Sequence, residues 1–137
     1  MTDRFKRDLI INYNQKLLCI FAIDVSGSMR GNNIQTVNKF FNDFFSWVHD
    51  EEELMVKLEV AIMQYDEEVS ILREPRLLED GELPPTLTER GSVTETVMAI
   101  EEAIKLVEDR KAFYKATGQS YYRPWIIVMT DGEPYGN

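Results

Sequence analysis

Short apolar runs and longer periodic segments alternate along the chain. Residues 17–23 are continuously apolar and too few for a helix, which is typical of a strand covered on both faces of a parallel sheet. Trp125–Met129 forms a second run of this kind. Between residues 56 and 65, apolar and polar residues first alternate and then give way to a wholly apolar stretch. These patterns predict three strands.

The periodic segments predict two amphipathic helices, because their apolar residues recur at spacings of three and four. The first helix follows a loop over residues 24–32, and its apolar positions are Ile34, Val37, Phe41, Phe44 or Phe45, and Val48. The second extends roughly to residue 115, and its apolar positions are Val97, Ile100, Ile104 and Val107. Gly118 is expected to cap its C-terminus.

The remaining segments predict a hairpin and a long loop. Only three acidic residues separate the strand at 56–65 from a short apolar segment at 69–72, so these strands must pair antiparallel, with 69–72 at an edge. Residues 73–90 contain three prolines without a sustained period and are expected to form a connection, while the acidic residues 50–53 are expected to form a turn. The predicted fold class is α/β, a doubly wound, Rossmann-like, mostly parallel sheet with one antiparallel edge strand.

Length and charge exclude several classes of protein. The 137 residues fit a single domain, and 44% hydrophobic with 28% charged residues excludes a disordered or collagenous chain. The 15 basic and 24 acidic residues give a net charge of −9. Nucleic acid is therefore not an expected partner, because phosphate backbones are held by clustered Lys and Arg.

The cysteine content and the hydropathy point to the cytoplasm. Cys19 is the single cysteine and lies within an apolar run, so we expect a small buried side chain rather than a nucleophile, and a reducing compartment. No stretch reaches the roughly 18 apolar residues of a membrane span, and the N-terminus lacks the apolar core of a signal peptide. No membrane association is expected.

Oxygen-bearing side chains follow the predicted strands at one edge of the sheet. Asp24, Ser26 and Ser28 come directly after the first strand, Asp131 follows the last, and Thr94 is expected at the start of the second helix. Ligands of open α/β sheets bind at the carboxyl ends of the strands, so these five side chains are expected to share one crevice. A set of carboxylates and hydroxyls without a soft ligand suits Mg²⁺ or Mn²⁺.

Each of these residues also has a purely structural interpretation. Ser26 and Ser28 are common turn and cap residues before a helix, and Asp131 with Gly132 is an ordinary turn signal. Ser92 and Glu95 have the spacing of a capping box, which would place Thr94 in the first helical turn. The metal site is favoured because all of these explanations would otherwise have to coincide at one sheet edge.

The motif resembles the metal-ion-dependent adhesion site of the von Willebrand factor A domain family, which combines an Asp-x-Ser-x-Ser loop, a separate Thr and an Asp after a later strand. The matching residues here are Asp24, Ser26, Ser28, Thr94 and Asp131. Within the family, the segments FAIDVSGSMRG and VMTDGEP are most similar to bacterial tellurite-resistance proteins of the TerY type. The resemblance covers residues 17–134 and implies a bound Mg²⁺ or Mn²⁺ that receives an Asp or Glu carboxylate from a protein partner.

Three functions are compatible with such a site. A non-enzymatic, metal-dependent protein-binding module is favoured, and resemblance to the TerY type implies a cytoplasmic role in stress response or phosphorylation-linked signalling. A magnesium-dependent phosphohydrolase with Asp24 as nucleophile is the alternative, but phosphatases of the haloacid-dehalogenase type usually place an acidic residue where Ser26 stands. The third possibility is a metal-free scaffold.

The resemblance also bears on the extent of the domain. In the family the sheet continues after the loop of Asp131 with further helices and two more parallel strands, whereas this sequence stops at Asn137. We therefore expect residues 1–16 to be an N-terminal extension and 17–137 to form the N-terminal two thirds of the fold. The apolar edge of Trp125–Met129 would then belong to a fragment of a longer protein, or be closed by a second copy. In the alternative, residues 5–13 fold back over it.

Overall fold

Four strands form a single sheet in a computed structural model that describes residues 14–90 and 94–130. The described elements are, in chain order, β1 (Leu17–Asp24), α1 (Asn32–His49), α2 (Glu52–Met55), β2 (Leu58–Tyr65), β3 (Val69–Leu77), α3 (Thr96–Ala116) and β4 (Trp125–Met129). The strand order is β3-β2-β1-β4, with β1 parallel to β2 and β4 and with β2 antiparallel to β3. The predicted fold class and the predicted antiparallel pairing of the second and third strands are confirmed.

Helices cover both faces of the sheet, which explains the continuously apolar central strands. On one face, α1 packs Phe41 and Phe45 against Phe21 and Ile23 of β1. On the other, α3 packs Leu106 and further side chains against alternate residues of β1 and β2, namely Leu18, Ile20, Ala61 and Met63. Successive strand residues point to opposite faces, so a strand between two helical layers needs apolar side chains throughout.

Strand β3 is longer than the sequence pattern predicts. The expectation that the chain enters a connection at residue 73 is wrong, because β3 runs to Leu77 and includes Pro75. Proline is tolerated there because β3 is an edge strand of the sheet formed by residues 14–90 and 94–130, and within these residues one side of its backbone has no partner strand. The pairing with β2 is irregular around Ile62, where the register shifts on both sides.

The start of α2 and the end of α3 both agree with the local sequence. The short helix α2 begins inside the acidic run that was expected to be only a turn, and Glu52 and Glu53 lie in its first turn, where the helix dipole favours negative charge. At the end of α3, Gly118 has φ 70° and its N–H donates to Lys115 O at 3.4 Å. The N–H of Gln119 donates to Tyr114 O at 2.8 Å, which completes the predicted glycine cap.

Strand β4 forms the second edge of the described sheet and is only half-buried. Trp125 at its start is 61% exposed, although its sequence is as apolar as that of a central strand. Closure of this edge by a second copy stays a prediction, and the segment 5–13 lies outside the described residues.

Cys19 on the neighbouring β1 is half-buried rather than fully buried, and burial raises the pKa of its thiol. Of the helices in the described ranges, none combines the length and apolar character that a membrane crossing requires.

Candidate functional site

The candidate site lies where β1 ends at the carboxyl edge of the sheet. Asp24 is the last residue of β1 and its side chain is fully buried. Val25 continues the pairing with β2, since its N–H donates to Tyr65 O at 2.8 Å. The chain then turns sharply through a 3-10 turn at Gly27–Met29, in which Met29 N–H donates to Ser26 O at 3.0 Å. This turn brings the side chains that follow Asp24 back over the strand end.

Both carboxylate oxygens of Asp24 accept hydrogen bonds from neutral groups. Oδ1 accepts the backbone N–H of Ser26 at 2.8 Å. Oδ2 accepts the hydroxyl of Thr130 at 2.7 Å and lies 3.4 Å from the hydroxyl of Thr94. Within residues 14–90 and 94–130, no Lys, Arg or His forms an ion pair with this carboxylate. Asp24 is thus a buried acid whose described partners are all uncharged.

Three hydroxyl groups extend from this carboxylate toward the surface and are called the hydroxyl cluster here: Ser26, Ser28 and Thr94. The Thr94 hydroxyl donates to Ser26 Oγ at 2.8 Å, and the Oγ atoms of Ser26 and Ser28 lie 3.1 Å apart. Ser26 is buried, Thr94 is half-buried and Ser28 is exposed. The cluster therefore leads from the buried carboxylate to solvent.

Backbone contacts hold Thr94 at this edge. The N–H of the next residue, Glu95, donates to Asp66 O at 2.9 Å, which ties the start of α3 to the end of β2. Glu95 is the N-cap residue of α3, so Thr94 precedes the helix instead of lying in its first turn. The expected position of Thr94 in the first helical turn is therefore wrong, and Ser92, which would form the capping box with Glu95, lies outside the described residues.

The structure brings together four of the five predicted site residues. The fifth, Asp131, lies outside the described residues, and metal binding by the set stays a prediction. No three side chains among His, Cys, Asp and Glu gather into a group that could hold a metal in the described part of the chain. Thr130 was missed by the sequence analysis, although it stands directly before Asp131 at the end of a strand, a position that could have indicated it.

The donor set fits a small, hard cation. Mg²⁺ takes oxygen ligands in octahedral geometry at 2.0–2.1 Å, so neighbouring ligand oxygens are about 2.9 Å apart. In the structure the oxygen separations are 2.8 Å for Thr94 to Ser26, 3.1 Å for Ser26 to Ser28 and 3.4 Å for Thr94 to Asp24. Two of these separations lie within about 0.2 Å of that edge length, and the third is about 0.5 Å longer.

A comparison with solved structures supports the same fold. One match is the crystal structure of the ArnB paralog VWA2 from Sulfolobus acidocaldarius, with a TM-score of 0.58 and 20% sequence identity. The match covers 91% of this chain but only 30% of that protein, so this chain spans less than a third of its length. A comparison with curated proteins found no match.

A family model provides the stronger assignment. The model described as von Willebrand factor type A domain matches residues 19–133, which is most of the 137-residue chain and includes all five predicted site residues. The mostly parallel sheet and the helices on both of its faces agree with this match. The chain therefore belongs to the von Willebrand factor type A domain family.

Proposed function

We propose that this domain is a divalent-metal-dependent protein-binding module. Mg²⁺ or Mn²⁺ would be held by Asp24, Ser26, Ser28, Thr94 and Asp131, of which the first four converge in the described structure. The observation that carries the proposal is the fully buried carboxylate of Asp24, surrounded by hydroxyl oxygens and without a cationic side chain among its described partners.

A buried carboxylate is costly unless charge or hydrogen bonds compensate for the lost water. The three groups that contact Asp24 are neutral and supply no positive charge. A divalent ion beside the hydroxyl cluster would supply that charge, and the hydroxyl oxygens have lone pairs that can act as ligands. This reasoning favours a metal site over a metal-free scaffold.

The composition of the cluster also indicates the partner. Three of the five proposed ligands are neutral hydroxyls, so at most two negative charges face the divalent ion, and an open position on it would still attract an anionic oxygen. The exposed Ser28 marks the side from which such a group can approach. We propose that the partner is a protein that presents an Asp or Glu carboxylate at this position.

Binding without catalysis fits the contacts of the cluster. In the described residues, the hydroxyls of Ser26 and Thr94 bond to one another and to Asp24 or Ser28, and no His, Lys or Cys side chain joins them as a general base or acid. We therefore propose a binding module in preference to a phosphohydrolase.

The assignment to a group within the family rests on the similarity of short sequence segments alone. The segments around Asp24 and Asp131 support a TerY-type bacterial protein, and with it a cytoplasmic role in stress response or signalling. Fractionation of the source cells, followed by detection of the protein, tests the location. Recovery outside the cytoplasm would contradict this part of the proposal.

Isothermal titration calorimetry with Mg²⁺ and Mn²⁺ tests the metal site. The variants are Asp24→Asn, which keeps the size of the side chain, and Asp43→Asn as a matched control at an exposed acid on α1. We expect one site in the wild type and in Asp43→Asn, and loss of binding in Asp24→Asn. Absence of binding in the wild type, or equal binding in all three proteins, would contradict the metal site.

Selection from a displayed peptide library tests the partner chemistry. Peptides retained on the immobilised domain in Mg²⁺ and released by EDTA are expected to share an Asp or Glu at one position. Selected peptides that lack a common carboxylate, or that stay bound in EDTA, would contradict recognition through the ion.

A further inference from the structure

Side chains rather than backbone pairing hold the long loop over residues 78–90 in place. Within the described residues, its backbone-to-backbone hydrogen bonds are Glu82 N–H to Glu79 O at 3.0 Å and Arg90 N–H to Val25 O at 2.6 Å. The second bond matters for the candidate site, because Val25 lies between Asp24 and Ser26.

Asn38 on α1 fixes this loop close to that contact. Its amide Nδ2 donates to Leu87 O at 2.8 Å, and its Oδ1 accepts Leu87 N–H, also at 2.8 Å. The side chain thus satisfies both backbone groups of Leu87, as a neighbouring strand would. Leu87 itself is buried in the core beneath α1, so the attachment combines two hydrogen bonds with apolar packing.

The other side chains that hold the loop contact it farther from Arg90 than Asn38 does, or bind it more weakly. Arg73 and Arg76 bind Glu82, and His49 Nε2 contacts Glu82 O at 2.9 Å. The ion pair of Arg30 with Glu89 is closer to the site, but Arg30 is largely exposed and its contact is 3.4 Å long. Exposed ion pairs of this kind contribute little to stability.

We propose that Asn38 is a positioning residue for the candidate metal site. It fixes Leu87 to α1, which keeps Arg90 N–H on the carbonyl of Val25 and thereby holds the backbone between Asp24 and Ser26. The inference rests on the proposed function, because it concerns the affinity of the same site for its ion. It adds a residue outside the Asp-x-Ser-x-Ser loop, ten positions after Ser28 on α1.

The test uses Asn38→Ala, with Asn42→Ala as a control at an exposed residue one turn farther along the same helix. Asn38→Gln keeps the amide on a longer side chain and is the second variant if Asn38→Ala does not fold. Amide hydrogen exchange by NMR, without metal, measures the protection of Arg90 N–H. Calorimetry then measures the affinity of each folded variant for Mn²⁺.

We expect Asn38→Ala to speed exchange at Arg90 by roughly tenfold, with little change at the amides of β2. The Mn²⁺ affinity should fall about threefold to tenfold, which lies within the range of coupling carried through an intermediate contact. Asn38→Gln should lie between Asn38→Ala and wild type, and Asn42→Ala should match wild type. A purely structural role would lower stability without changing the affinity of the folded protein.

Two results would overturn the inference, and they are distinguishable. If the wild type binds Mn²⁺ and the folded Asn38 variants bind it equally well, with Arg90 still protected, the positioning role is wrong while the proposed function stands. If the wild type binds neither Mn²⁺ nor Mg²⁺, the proposed function fails and the positioning role fails with it.

Discussion

Two buried carboxylates, Asp24 and Glu59, lie at opposite ends of the central strands and are compensated differently. Glu59, near the start of β2, receives Arg110 Nε at 2.8 Å and Nη2 at 2.6 Å, together with the hydroxyl of Tyr114. Asp24, at the end of β1, accepts one backbone N–H and the hydroxyl of Thr130, and the hydroxyl of Thr94 lies 3.4 Å away. Both carboxylates are at most 3% exposed.

The difference separates a structural acid from a candidate ligand. The charge of Glu59 is matched inside the protein by Arg110, which also lies 4.3 Å from the ring centroid of Phe113. Burial, and then the charge and hydrogen bond of Glu59, raise the pKa of Tyr114, so its hydroxyl remains a donor. Asp24 has no such internal cation among the described residues, which is the arrangement expected of a site completed by an external ion.

The largest expected effect is the loss of unfolding free energy when Glu59 is replaced. Glu59→Gln removes the charge that faces Arg110 in a buried environment, and breaking such a pair costs about 3–5 kcal/mol of unfolding free energy. Urea unfolding measures it, with Glu101→Gln at an exposed position of α3 as the control, expected within about 0.5 kcal/mol of wild type. A loss below about 1 kcal/mol would contradict the contrast, because Glu59 would then contribute no more to stability than Asp24 is expected to.

Asp24→Asn is expected to behave in the opposite way. Without divalent ions its unfolding free energy should stay within about 1 kcal/mol of wild type, because the amide can still accept from Ser26 and the hydroxyls can rotate. At a Mg²⁺ concentration of about 100 times Kd, wild type should gain about 2.7 kcal/mol and the variant nothing. Thermal unfolding with Mg²⁺ and with EDTA compares them. An equal gain in both proteins would remove Asp24 from the metal site.

Much of this comparison could not be read from the sequence. The apolar runs predicted β1 and β4, because burial on both faces leaves a local signature. Glu59 stood at a polar position of an alternating segment, and its partner Arg110 is 51 residues away on a different element. Nothing local indicates which charged residues meet in the core.

The site was predictable for a related reason. Asp24, Ser26 and Ser28 are close in sequence and follow a strand. Thr94 was predicted at the same edge from its place near a helix start and from the resemblance to the family motif. Thr130 was missed because a threonine at a strand end has an ordinary structural role, and only the 2.7 Å contact with Asp24 distinguishes it. The end of β3 was predicted too early, before Pro75, because whether proline ends a strand depends on the position of that strand in the sheet.

Thr130→Val sharpens the account of how Asp24 is oriented. The variant keeps the shape of the side chain but removes the hydroxyl that donates to Oδ2 of Asp24. Loss of such a contact behind a ligand typically weakens metal binding by about 10-fold or more. Calorimetry with Mn²⁺ measures this, with Thr130→Ser expected to restore binding and Thr36→Val on α1 as the control. Wild-type affinity in Thr130→Val would show that the contact does not orient the ligand.

The smallest expected effect is a pH dependence in the 78–90 loop. Burial alone would raise the pKa of Glu82, but hydrogen bonds from Arg73 and the Glu79 N–H, with the charges of Arg73 and Arg76, lower it on balance. Its contribution to stability is therefore complete above the ordinary value of 4.5 and is lost as the pH falls through the lowered pKa. The stability difference between wild type and Glu82→Gln should be constant near neutral pH and shrink in acid. A difference that grows in acid would contradict this sign.

Mn²⁺ titration followed by NMR tests the central contrast most directly, because the paramagnetic ion broadens the signals of nearby nuclei. At Mn²⁺ well below the protein concentration, the amides of Ser26, Ser28 and Glu95 should broaden, those of Glu59 and Tyr114 should not, and excess Mg²⁺ should restore the lost signals. Broadening confined to exposed acidic segments such as Glu52–Met55, or equal broadening at both buried carboxylates, would contradict the account.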